Sequence, residues 1–179
     1  MRTLSNYIDE AIKIGSSVAN ISVYTCHPKS REYLENILCE RVSKEGPNCD
    51  LNDIDVSEIT DMSWLFYSTD FNGDISNWDM SKVKDMSYMF EGSVFTGDIS
   101  GWNVSNVYDM SGMFYKSIFN GYIAKWNVRN VENMAYMFYK SRFNQDISRW
   151  NVSENVKASK MFVAYTIREE YKPKSLQKK

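Results

Sequence analysis

Two sets of aspartates recur at intervals of 24 residues and are the first candidates for metal chemistry. One set is Asp74, Asp98 and Asp146, and the other is Asp61, Asp85 and Asp109. Carboxylate oxygens are the ligands that Ca²⁺ prefers, but calcium-binding repeat proteins carry glycine and aspartate at much closer spacing. Tyr122 also interrupts the first set, and the second set stands where helix N-caps are expected. We therefore expect no bound metal.

The single histidine and the three cysteines offer little further chemistry. His27 lies beside Cys26 without a paired C-x-x-C motif, which is typical of a surface or cap residue rather than a zinc ligand. Cys26, Cys39 and Cys49 are odd in number and widely separated, so they predict free thiols rather than a disulfide framework. No glycine-rich phosphate loop or G-x-S-x-G elbow is present, and a hydrolase triad needs a base near its nucleophile. We expect no enzyme and no cofactor.

Aromatic and basic side chains that recur three residues apart form the candidate binding site. They are Trp64, Tyr67, Tyr88, Tyr115, Tyr136 and Tyr139, joined by Lys116 and Lys140. On a helical turn this spacing places both sets of residues on one outer face. Exposed aromatic rings dominate protein interfaces, and the lysines add positive charge that suits protein, glycan or an anionic surface. The sequence fits equally well a ladder of rings that only pack on one another.

The elements that must position these residues come from an internal repeat. The stretch NWDMSKVKDMSYMF at residues 77–90 returns as GWNVSNVYDMSGMF and again as KWNVRNVENMAYMF, each time 24 residues later. The units begin at Ile54, Trp78, Trp102, Trp126 and Trp150. A fixed period of this length is typical of repeats that bury their apolar face by stacking. The constant tryptophan, methionine and phenylalanine positions are therefore the predicted core.

Within one unit, the apolar spacing predicts two short elements. Ile75, Trp78 and Met80 include an alternating pair that favours a short strand, and residues 86–90 follow the spacing of a helical turn with Asp85 as its N-cap. The predicted bend lies at the recurrent glycines Gly73, Gly97 and Gly121, which Gln145 replaces in the fourth unit. The predicted fold class is an α/β solenoid of about five 24-residue coils, each with a short parallel strand and a short helical turn.

Both ends depart from the repeat and are predicted to cap it. In PKSREYLENILCERV, one helical face carries Tyr33, Leu34, Ile37, Leu38 and Val42. Ser30 is the predicted N-cap and Gly46-Pro47 the stop. The predicted organisation is an N-terminal amphipathic helix and linker at 1–27, a helical N-terminal cap at 28–53, the repeat solenoid at 54–162, and a C-terminal cap with a basic tail at 163–179.

A continuous pattern across the units resembles the BspA-like repeat family, first catalogued in mycoplasma surface proteins as a domain of unknown function. The matching residues are Trp78, Ser81, Val83, Asp85, Met86, Met89, Phe90, Phe95, Gly97, Asp98 and Ile99, and the resemblance spans roughly residues 28–162. It implies a leucine-rich-repeat-like solenoid and non-catalytic binding at a cell or virion surface. It supplies no catalytic residues.

Composition narrows the function classes that remain. A formal charge of −2 argues against a dedicated nucleic-acid binder. The chain has no run of about 18 apolar residues and no signal peptide, so we expect no membrane span and a cytoplasmic protein, with a cell surface or virion as the other location.

We expect a non-enzymatic protein–protein interaction module. Five coils about 4.8 Å apart make a small platform, which favours a single protein partner or self-association. The alternative is a structural or accessory component of a surface or phage virion assembly, docked by the amphipathic stretch LSNYIDEAIKI.

Overall fold

A computed structural model of the chain describes residues 24–163 and 167–177. One α-helix, α1 (Arg31–Glu45), opens this part of the chain, and two short 3-10 helices, Glu169–Tyr171 and Lys174–Leu176, close it. Between them the backbone runs through successive turns, and the parallel bridges that form there are isolated pairs. The predicted N-terminal amphipathic stretch LSNYIDEAIKI lies outside the described residues.

Helix α1 forms where its capping residues and apolar spacing predict it. The Ser30 side chain accepts a hydrogen bond from the Tyr33 amide, and the chain leaves the helix at Gly46. Leu34 and Leu38 are buried in the core. The prediction of a helix with this N-cap is confirmed, but Tyr33 does not belong to its buried face, since 55% of it is exposed.

Main-chain hydrogen bonds join the 24-residue units at five turn segments, residues 62–68, 86–92, 110–116, 134–140 and 158–163. Alternate amide N–H groups of one segment donate to carbonyls of the next. The Trp64 amide donates to the Ser87 carbonyl at 3.0 Å, and the Phe66 amide donates to the Met89 carbonyl at 2.9 Å. The same pattern recurs at the three following junctions, so residues 24 positions apart lie beside one another.

The backbone of these segments is left-handed at one recurrent position. Trp64, Tyr88, Gly112, Tyr136 and Lys160 have φ of 61°, 57°, 59°, 60° and 54°. A second left-handed position four residues later is held by Ser68, Gly92, Lys116 and Lys140. Because each segment alternates left-handed residues with tight turns, it cannot extend into a strand or continue as a helix.

The predicted α/β solenoid of five coils with parallel strands is therefore wrong. Residues 24–163 and 167–177 hold one α-helix and no sheet. Where a strand was expected, the Trp78 amide closes a turn on the Ile75 carbonyl at 3.2 Å. Where a helical turn was expected, the Asp85 carboxylate accepts from the Ser87 amide at 2.8 Å, which makes an Asx turn instead of a helix cap.

The predicted core positions of the tryptophan, methionine and phenylalanine columns are confirmed as buried, except Phe162, which is half-buried. The phenylalanines Phe66, Phe90, Phe114 and Phe138 stack at centroid distances of 5.5, 5.7 and 5.8 Å. The indoles of four buried tryptophans each donate to a carbonyl 27 residues earlier, as when Trp102 Nε1 donates to the Ile75 carbonyl at 3.1 Å; the other three are Trp78, Trp126 and Trp150. Stacked rings and indole hydrogen bonds thus join different units where strand pairing was expected.

The recurrent glycine has a different role from the predicted bend. A Cβ atom at Gly97 would lie 2.7 Å from the Phe95 ring. The buried ring two residues earlier lies against the glycine at Gly73, Gly97 and Gly121, whereas Gln145 carries a side chain at the equivalent position of the fourth unit.

Candidate binding face

The predicted site residues lie on the outer side of the turn segments. We call this surface the aromatic face and define it by Trp64, Tyr67, Tyr88, Tyr115, Tyr136, Tyr139, Lys116 and Lys140, to which the structure adds Lys160. Two ring clusters form within it, one in the first two turn segments and one in the third and fourth.

The first cluster is built around Trp64. Its ring stacks on Tyr88 at a centroid distance of 4.3 Å and meets the edge of Tyr67 at 5.2 Å. Trp64 is 44% exposed and Tyr67 is 48% exposed. A side chain on Gly112 would overlap the Tyr88 ring, so the glycine that interrupts the aromatic series makes room for that ring.

The second cluster joins three tyrosines. Tyr115 stacks on Tyr139 at 5.0 Å, and Tyr136 meets Tyr139 edge-on at 5.6 Å. All three rings are half-buried. Each of these tyrosines therefore keeps part of its surface exposed.

Three lysines line the second cluster, each over a tyrosine ring. Their Nζ atoms lie 5.0 Å (Lys116 over Tyr115), 5.5 Å (Lys140 over Tyr139) and 5.6 Å (Lys160 over Tyr136) from the ring centroids. Among the described residues, no carboxylate lies within 4 Å of these three ammonium groups.

Lys160 was missed at the sequence level. The available signal was its position, 24 residues after Tyr136 and in the same column as Trp64 and Tyr88. Lys160 thus places a basic side chain at the position that Trp64, Tyr88 and Tyr136 occupy in earlier units.

One carboxyl group lies among the face residues. Burial raises the pKa of Glu91, and the positive charge of Lys116 opposes that shift. Glu91 holds the position equivalent to Tyr67, Tyr115 and Tyr139, so it separates the two ring clusters.

Left-handed backbone under aromatic side chains is energetically costly. For a residue other than glycine this conformation costs about 1–2 kcal/mol, and bulky residues adopt it rarely. Trp64, Tyr88 and Tyr136 all do so, while Gly112 shows that the same position accepts glycine. The backbone conformation alone would therefore favour glycine at this position in every unit.

The aspartate sets have a structural role in the described part of the chain. Asp74, Asp98 and Asp146 each accept from the amide two residues later, at 2.9 Å. Hydrogen bonds from the following serine lower the pKa of each of these carboxyls. Across residues 24–163 and 167–177, no three His, Cys, Asp or Glu side chains come together as metal ligands would.

His27 has a local partner outside the aromatic face. Its Nδ1 lies 2.9 Å from the Asp55 carboxylate. Burial acts to raise the pKa of Asp55, but hydrogen bonds from Ser57 and His27 bring it below its usual value. The three cysteines are unpaired thiols, and burial raises the pKa of Cys49.

A membrane-crossing helix is absent from the described residues, since α1, their longest helix, is too short and too polar.

Comparison with known proteins yields one family. The model described as "Mycoplasma protein of unknown function, DUF285" matches the chain twice, over residues 39–121 and 94–172. No curated protein and no solved structure matches the chain. The mycoplasma part of the predicted resemblance is confirmed, whereas the link to BspA-like and leucine-rich repeats stays a prediction.

Proposed function

Because the chain belongs to this mycoplasma family of unknown function, we propose that it is a non-enzymatic interaction module whose aromatic face binds a protein partner. The observation that carries the proposal is the pair of ring clusters, partly exposed and held in part on left-handed backbone. Strained residues other than glycine persist where the surrounding structure or the function requires them.

Ring chemistry supports a protein partner. Tryptophan and tyrosine combine a large apolar surface with a polar group and lose little conformational entropy on binding, so they are enriched among the residues that dominate interface energies. Lysine is depleted at interface centres, and the three lysines therefore fit a rim that steers and orients the partner. The first cluster is the apolar end of this surface, and the second is its basic end.

Site-directed cross-linking tests the proposal. A photo-reactive phenylalanine analogue placed at Tyr139 is expected to capture a protein from the source organism, and the same analogue at Tyr122 is not. The captured protein is then purified, and its affinity is measured for wild type and for the variant Y115S/Y139S. Loss of two interface rings is expected to weaken binding by about tenfold or more, since each tenfold step corresponds to about 1.4 kcal/mol.

A matched pair of exposed tyrosines outside the face provides the control. Tyr108 is 46% exposed and Tyr122 is 53% exposed, and neither belongs to the ring clusters. The variant Y108S/Y122S should bind as wild type does. If Y115S/Y139S binds with unchanged affinity, or if it unfolds, the rings serve only to pack and the proposal is wrong.

A further inference from the structure

The last turn segment ends in a row of main-chain donors. At each of the four earlier segments, alternate amides donate to carbonyls of the next one, as when Tyr136 donates to the Ser159 carbonyl at 3.0 Å. In the last segment the equivalent amides belong to Ala158, Lys160 and Phe162. Within the part of the chain that the structure describes, these three N–H groups have no acceptor.

The residues of this row line an open pocket. A space of about 280 Å³ is lined by Ala158, Lys160, Phe162, Lys172 and Leu176, among others. The ammonium group of Lys172 lies 5.4 Å from the centroid of the Phe162 ring, and it pairs with Glu169 at 2.5 Å. The last segment is therefore partly covered by the C-terminal residues but retains room beside its donors.

The basic end of the aromatic face meets this row at Lys160. The Lys160 amide belongs to the row, while its ammonium group lies over Tyr136. Lys140 lies on the neighbouring turn segment and is exposed. Backbone donors and two ammonium groups are thus adjacent, and both attract negatively charged or carbonyl oxygen.

We propose that the last turn segment binds an acidic peptide segment of the partner. Main-chain carbonyls of that segment accept from Ala158, Lys160 and Phe162, and its carboxylates pair with Lys140 and Lys160. The inference deepens the proposed function and rests on it. It names the chemistry of the partner at one end of the aromatic face.

Main chain fits the donor row better than a small anion does. At all four internal junctions, each donor of the row takes a separate carbonyl, and those carbonyls come from residues two positions apart. The row is therefore spaced for successive carbonyls of one polypeptide.

A second copy of the chain fits less well. Its matching carbonyls lie at the first turn segment, where α1 approaches them and the Arg31 guanidinium donates to the Ser63 carbonyl.

The test uses a fluorescein-labelled glutamate-rich peptide and the same peptide with glutamine at every glutamate. Fluorescence anisotropy with the full chain is expected to show tighter binding of the glutamate peptide, weakened about tenfold or more by K140Q/K160Q. The control K84Q/K125Q changes two exposed lysines outside the face and should bind as wild type does.

Amide hydrogen exchange measured by NMR locates the contact. Without peptide, the amides of Ala158, Lys160 and Phe162 should exchange rapidly, whereas those of Tyr136 and Phe138 are already bonded and slow. The glutamate peptide should slow the first three amides and leave the other two unchanged.

Several results would overturn the inference. If the two peptides bind equally well, charge plays no part in binding. If the glutamate peptide slows the exchange of amides elsewhere in the chain, the site does not lie at the last turn segment. Protection of the same amides by inorganic phosphate alone indicates a small-anion site, and concentration-dependent protection without peptide indicates a second copy. If the captured partner is weakened by Y115S/Y139S but not by K140Q/K160Q, the proposed function stands and this inference falls.

Discussion

Two series of residues recur along the molecule at the same 24-residue interval. One is an inner file of buried phenylalanine rings, and the other is an outer column that consists of Trp64, Tyr88, Gly112, Tyr136 and Lys160. The inner file of Phe66, Phe90, Phe114 and Phe138 is at most 4% exposed and evenly spaced. In the outer column, Trp64 and Tyr88 stack closely, Gly112 interrupts the series, and Lys160 ends it. The inner phenylalanines are present in each of these four units and are evenly spaced, as expected of residues that the fold requires, whereas the outer column is irregular.

The backbone sharpens this contrast. No phenylalanine of the inner file has a positive φ, whereas every residue of the outer column does. Tryptophan, tyrosine, glycine and lysine occupy the same outer position with φ between 54° and 61°. Four residue types hold this position, and only at Gly112 does a neighbouring ring exclude a side chain, so the fold does not require a ring in the outer column.

Removing a ring from the core should have the largest effect. Trp102 is 4% exposed, stacks on Trp126 at 6.5 Å and donates through its indole to the Ile75 carbonyl, 27 residues earlier. We expect W102A to lower the free energy of unfolding by about 3–5 kcal/mol, because a cavity opens between units. Chemical denaturation followed by circular dichroism measures the loss.

The variant W102F separates the ring from its hydrogen bond. The Ile75 carbonyl also accepts from the Trp78 amide, so it keeps one partner when the indole is lost. We expect W102F to cost about 1–2 kcal/mol, much less than W102A. A near-neutral W102A would contradict the role given to the inner rings.

The sequence predicted burial much better than it predicted local structure. An apolar residue that recurs in every unit, as at Trp78, Trp102 and Trp126, predicts a buried position regardless of the backbone conformation there. The core could therefore be predicted from the sequence. The predictions of a strand and a helical turn in each unit were wrong, because a chain built from Asx turns and left-handed residues can have the same 24-residue period. Helix α1 was found because Ser30 and Gly46 mark its ends through capping chemistry.

The aromatic face was only partly predictable. Its aromatic residues could be named from spacing, but the left-handed backbone under Tyr88 and Tyr136 has no signal in those residue types. Gly112 in the same column was the available signal, since glycine favours that conformation. The donor row at Ala158 could not be found, because it depends on which partner each amide has in the folded chain.

Glycine and alanine at Tyr136 should separate backbone strain from ring contact. Both variants remove the ring, but only glycine relieves the left-handed conformation. We expect Y136G to be more stable than Y136A by about 1 kcal/mol, the reverse of the order at an ordinary position. Denaturant unfolding of the two variants gives the difference directly. Equal stability, or a more stable alanine variant, would contradict the argument from φ.

The smallest expected effect concerns the Asx turns at Asp74, Asp98 and Asp146. Hydrogen bonds from the Ser100 backbone and side chain lower the pKa of Asp98, and Asp74 and Asp146 are held similarly. A carboxyl with a lowered pKa in the folded state stabilises the fold above its unfolded pKa of about 3.9. That contribution is lost as the pH falls through the lower, folded pKa, so acid should reduce the melting temperature of the wild type.

The variant D74N/D98N/D146N distinguishes charge from turn geometry. Asn103 already makes the same turn, since its side-chain oxygen accepts from the Ser105 amide at 3.2 Å. Asparagine at the three positions should therefore keep the melting temperature at neutral pH close to that of the wild type, while acidification lowers it by less. Because all three side chains are exposed, water screens the carboxylates and the difference should be small. An equal loss in both proteins would show that the acid sensitivity arises from other carboxyl groups, whereas a large loss at neutral pH would show that the charge itself holds these turns.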